Sequence, residues 1–171
     1  SFTSCSLFKD KQYKNGQVFV ETFYQIKADG PGRLELNRYL APETRHYTIS
    51  DELKNMTKTI DLDEMRENNE FIKKDMAQEI IKMKWPDIVK AVSLSEKLAA
   101  HTSKESIDNS VSKMLGKTKR ELARYKSLEI EPGSYQNEID TLTQNAKESA
   151  SHLQSAKPKL MALCVWVNFI Q

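Results

Sequence analysis

Glycine is scarce in this chain and unevenly placed: there are five in 171 residues, and only Gly116 and Gly133 follow Ser50. The last two-thirds therefore lacks loop-forming residues, and a glycine-rich phosphate loop has no footing there. Gly116-Lys117-Thr118 resembles the end of such a loop, but the position of its first glycine is Val111 and no strand precedes it. Cysteine is limited to Cys5 and Cys164, which excludes a disulfide-dense scaffold and any multi-cysteine metal site. Neither sign of charge dominates: 26 Lys and Arg face 24 Asp and Glu, for a net charge of +2. No domain-wide basic field exists, so nucleic acid is a disfavoured partner. A membrane-spanning run is missing as well. The longest apolar stretch, Leu160 to Ile170, falls short of the roughly 20 residues that a helix needs to cross a bilayer.

What remains is a folded-protein composition, 39% hydrophobic and 29% charged, in a chain long enough for one cooperative core. We read residues 1–171 as a single domain with a β-rich subregion at 1–49 and a helical bundle at 50–171. The fold class is α+β, mostly α: a small N-terminal antiparallel meander with an elongated antiparallel helical bundle of coiled-coil character.

The β signal is local. Asn15-Gly16 suits a type I′ turn and predicts a hairpin between Leu7-Phe8 and Gln17 to Ile26. Val18, Val20, Thr22, Tyr24 and Ile26 alternate with Phe19 and Phe23, so both faces of that strand need cover. Leu34, Leu36 and Leu40, then His46 to Ile49, complete a meander of three or four strands.

Ser50-Asp51-Glu52 reads as a helix start, and Asp61 with Glu64 as a second. From there Leu62, Met65, Asn69, Ile72, Met76, Ile80 and Met83 form one stripe to Trp85. Pro86 opens the next helix, and Thr102 with Glu105 caps another, whose seam is Ile107, Val111, Met114, Thr118, Leu122 and Tyr125. Pro132-Gly133 ends it. A last helix runs from about Ser134 to Pro158. Three long helices, 62–84, 104–128 and 134–157, are expected to pack side by side.

Functional candidates are few. His46, His101 and His152 lie far apart with no second ligand at helical spacing, and no metal or other cofactor is expected. Asp61, Asp63, Glu64, Glu67 and Glu70 lack the glycine and alternating oxygens of a calcium loop. Cys5 lies on a polar stretch with no base beside it, and Leu163 and Val165 flank Cys164, so neither reads as an activated nucleophile. No catalytic set emerges, and the chain reads as non-enzymatic.

Four features remain. Cys5 and Cys164 would form a disulfide if the termini meet in an oxidising compartment. The sequon Asn55-Met56-Thr57 and a first residue other than methionine lean the same way. Secreted or cell-surface and intracellular locations are equally open. Lys113, Lys117, Arg120 and Arg124, reinforced by Lys119 and Lys126, make a basic stripe for an anionic surface. Met65, Asn69, Ile72 and Met76 form a seam for a partner helix, with Asn69 as a register-setting polar residue. Leu160, Leu163, Val165, Trp166, Phe169 and Ile170 form a segment destined either for the core or for a membrane. The function that fits is an interaction or assembly module binding a protein partner, or a second copy, through amphipathic helices. The alternative is a membrane-active helical protein that uses the basic stripe and the segment 160–170 on an anionic membrane.

Overall fold

The computed structural model describes residues 2–67 and 69–170. In chain order it holds β1 (Phe2–Phe8), β2 (Val18–Lys27), two 3-10 turns (Gly32–Leu34 and Leu36–Arg38), β3 (Glu43–Ser50), α1 (Leu62–Glu67), β4 (Glu70–Phe71), α2 (Lys74–Leu128), α3 (Gln136–Gln154) and β5 (Lys157–Asn168). The class is mixed α and β, one sheet with a long helix and a second helix. The contacts divide the chain into two compact units.

The first unit comprises Ser1–Gln25, Thr44–His101 and Pro158–Gln171. Its sheet has the order β3-β2-β5-β1-β4, with β1 parallel to β5 and antiparallel to β4. Alternation along β2 supplies two faces. Val18, Val20 and Tyr24 join Tyr47, Ile49, Leu163, Val165 and Val167 against Ile88, Ala91 and Ala99 of α2. Phe19 points to the other face, where Phe8 and Trp166 pack with Ile60 and with Met65 of α1. The Tyr24 hydroxyl lies 2.7 Å from Ser95 Oγ and donates to the Val92 carbonyl at 3.2 Å. A phenol is thereby accommodated inside an apolar layer.

Here the chain departs from the hairpin that the sequence predicts. The turn exists, with Gly16 at φ +83°, but β5 lies between β1 and β2. Asn168, fully buried, explains why. Its side-chain amide donates to the carbonyls of Asp10, Tyr13 and Lys14, and its Oδ1 accepts from the Asp10 amide. Its backbone bonds Gly16 and Gln17. The C-terminal strand thus closes the loop that the sequence assigns to a local turn, and the sheet is mixed rather than an N-terminal antiparallel meander.

Three helical expectations also change. Ser50 does not cap a helix; its Oγ accepts the Lys54 amide within a tight turn closed by the Ile49–Asn55 bridge. Asp61 does cap α1, accepting the amides of Asp63 and Glu64, but α1 ends at Glu67. Glu70 and Phe71 then pair with Leu7 and Ser6. Backbone groups along the edge of β1 gain partners there that a continuing helix would have withheld. Finally, no break occurs at Pro86 or His101, and α2 runs as one helix of 55 residues. Pro86 forfeits an intrahelical hydrogen bond, yet Ile81, Ile88, Ala91, Ser95 and Ala99 keep one face on the core across it.

The second unit comprises Ile26–Glu43 and Thr102–Lys157. Ile107, Val111 and Met114 of α2 pack with Ala146, Ala150 and Leu153 of α3, as their spacing predicts. Leu34 and Leu36 of the 3-10 turns, and Leu40 just after them, cap this pair, rather than a strand. Gly30 lies so near them that a Cβ there would meet Leu36 Cδ1 at 2.7 Å and His152 Cγ at 2.9 Å. Instead of three long helices at 62–84, 104–128 and 134–157, there are the two helices α2 and α3.

Candidate interaction surfaces

The two thiols come close in the sheet and remain free. Ser4 is opposite Cys164 and Cys5 opposite Val165 in the parallel register. One residue of offset in a strand reverses the face, so Cys5 packs with the α2-side cluster and Cys164 with the Trp166 side. The termini meet, as a disulfide would need, but no bridge forms, and the secreted reading loses the support it drew from one. Burial raises both thiols above the ordinary range, Cys164 to about 11. At neutral pH neither is a thiolate nucleophile.

In the first unit the sheet carries a buried carboxylate, Glu21, which sequence reading passed over. The signal was a lone acid between Val20 and Thr22 in an otherwise apolar strand. His46 Nε2 of β3 lies 2.9 Å from its Oε2 and an Arg66 guanidinium nitrogen of α1 lies 3.4 Å from it. Phe23 stacks on the His46 ring at 4.8 Å. Both of its partners are held, so the group ties β2, β3 and α1 together. Of the other histidines, His152 lies against Gly30 and His101 is exposed. No group of three His, Cys, Asp or Glu among the described residues is gathered as a metal would require.

The proposed partner seam is dispersed. Met65 is buried on α1, Asn69 and Ile72 are half-buried on the segments flanking β4, and Met76 is exposed in the first turn of α2. Because α1 stops at Glu67, the four share no helical face. The segment 160–170 is chiefly a central strand, with Leu163, Val165 and Trp166 buried, Leu160 and Ile170 half-buried, and Phe169 exposed. Pulling β5 out would unpair two neighbours at once. No described helix is long and apolar enough to cross a membrane.

Two surfaces remain open. On the first unit, α2 exposes Met76, Met83 at 71%, Trp85 at 53% and Val89. On the second unit, α2 carries the basic stripe, and the structure divides it. Lys117 turns inward, its Nζ 3.9 Å from Glu121 and 5.9 Å from the centre of the Tyr39 ring. Lys113 Nζ donates to the Arg38 carbonyl at 3.1 Å. Lys119, Arg120, Arg124 and Lys126 are exposed, and among the described residues none has an acidic side chain at ion-pair distance.

A family model described as RNA polymerase recycling family C-terminal matches residues 2–168. Similar curated proteins include the RNA polymerase-associated protein RapA of Erwinia tasmaniensis, 26% identical over 92% of this chain. The same-named proteins of Pasteurella multocida and Pseudomonas putida are 26% and 24% identical over 97% and 96% of it. The chain spans only 16–18% of the length of these relatives.

Proposed function

Because the chain belongs to the RNA polymerase recycling family C-terminal, we propose that it is a non-catalytic interaction module whose partner is RNA polymerase. The observation that carries this reading is the set of large apolar side chains that α2 leaves in water on the first unit. Trp85 and Met83, two residues apart, lie more than half exposed on either flank of the helix face that packs on the sheet. Large aromatic and thioether side chains left in water on a rigid helix are the residues that dominate binding energy at protein interfaces. The free energy of burying them against water is recovered only when a partner covers them. The relatives' shared name, RNA polymerase-associated protein, supplies the identity of that partner.

The test is equilibrium binding of the purified chain to core RNA polymerase, with Trp85→Ala and Met83→Ala variants alongside. We expect Trp85→Ala to weaken binding by about tenfold or more, as befits a central interface aromatic, with the circular dichroism spectrum unchanged. Wild-type affinity in both variants would sink the assignment of this surface, and no binding by the wild type would sink the choice of partner.

A further inference from the structure

The charged half of α2 carries a second, separate surface. Between Ser112 and Leu128 the exposed positions are Ser112, Lys113, Leu115, Lys119, Arg120, Ala123, Arg124, Lys126, Ser127 and Leu128. Five are cationic and none is acidic. The span is about 24 Å of helix at 1.5 Å per residue. Glu121, the one acid in this stretch, keeps 42% of its side chain exposed and has its charge met by Lys117 at 3.9 Å.

Apolar side chains lie among these charges. Leu115 and Leu128 are each half exposed, and Ile130, just past the end of the helix, is 96% exposed. The basic face does not arise from a basic unit. Ile26–Glu43 and Thr102–Lys157 together carry twelve Lys and Arg against eleven Asp and Glu. Apart from Glu121, paired with Lys117, and Glu129 and Glu131 on either side of Ile130, the acids of the unit lie on other segments. A face that is basic and apolar, in a unit of nearly zero net charge, matches an acidic protein surface with apolar anchors better than a nucleic-acid backbone. A phosphate backbone would reward a wide positive field and has no use for Leu115 or Ile130.

We propose that the solvent face of α2 from Lys113 to Leu128, with Ile130 beyond it, docks an acidic amphipathic helix of a partner protein. Lys119, Arg120, Arg124 and Lys126 read the partner's carboxylates, and Leu115 and Ile130 take its apolar side chains. This deepens the polymerase reading by naming the chemistry of a second contact, and it rests on that reading only for which protein supplies the acidic helix. Complementary charge of this kind sets register and association rate, and salt weakens it.

The experiment uses the 171-residue chain and three probes: a synthetic Glu/Leu amphipathic helical peptide, a random-sequence DNA duplex, and core RNA polymerase. Each is measured at low and high salt, about 50 and 300 mM. The variants are the triple reversal K119E/R120E/R124E and the single Ile130→Ser, both on exposed positions and checked for unchanged circular dichroism. We expect the wild type to bind the peptide, to lose about tenfold in affinity at the higher salt, and to lose at least as much in the reversed variant. Ile130→Ser should weaken the peptide by several-fold at either salt, an effect that a purely ionic contact would not show. Equal binding of the peptide by wild type and reversed variant would overturn the proposal. So would a duplex bound more tightly than the peptide and released by the reversal. Peptide binding without polymerase binding would instead retain the docking face and overturn the choice of polymerase.

Discussion

The two units are built on opposite principles. The first closes its sheet with contacts between the ends of the chain: β1 pairs with β5 across some 160 residues of sequence, and Asn168 fastens the loop at 10–17. In the second, two helices joined by a short turn supply much of the core through contacts that their own spacing anticipates. Long-range pairing is paid for by loop-closure entropy before it is rewarded, so the first unit depends on a few decisive residues. A helix pair spreads its stability over many small contacts and tolerates single losses better.

Asn168→Ala should produce the largest effect. It strips three carbonyls and one amide of a half-buried loop of their partner, and at roughly 1 kcal/mol net per hydrogen bond we expect a loss of about 3–4 kcal/mol. Chemical denaturation monitored by Trp166 fluorescence, with amide hydrogen exchange, checks it. If α3 amides lose as much protection as those of β2, the contrast between the units fails. Gly30→Ala tests the second unit. Its Cβ would overlap Leu36 and His152, and overpacking of this kind costs about 1–2 kcal/mol. Unchanged thermal stability would show that the 3-10 turns yield easily.

The smallest effect at neutral pH concerns Cys164. Its thiol lies above its ordinary value of 9.0, at about 11, first because of burial. A raised pKa in the folded state means that the unfolded chain releases its proton first as pH climbs. The stability contributed is therefore complete below about 9 and lost between about 9 and 11. Cys164→Ser should flatten that part of the pH–stability profile, and iodoacetamide should label native Cys164 slowly at pH 8. Rapid labelling would show that the Trp166 side of the sheet opens.

The readable parts of the molecule were those decided by neighbours a few residues apart. Asp61 caps a helix because its carboxylate is within reach of amides two and three residues on. The seam of Ile107, Val111 and Met114 repeats with the helical turn, and His46 to Ile49 is a strand. The candidate sites were less legible. The basic stripe was visible as spacing, but that Lys117 turns inward while Lys119 and Lys126 face water depends on Glu121 and Tyr39. Glu21 escaped notice because a single acid in a strand has no periodic signature.

By itself the sequence determined the alternation of β2, the helical register of α2 and α3, and the scarcity of acids between Ser112 and Leu128, where Glu121 stands alone, all properties carried by spacing along the chain. Only the tertiary structure decided that β5 enters between β1 and β2, that helix yields to strand at Glu70, that α2 ignores Pro86, and that Cys5 and Cys164 face opposite ways. Each of those outcomes depends on partners distant in sequence. Backbone groups of a strand must be satisfied by another strand, and the sequence does not mark which one.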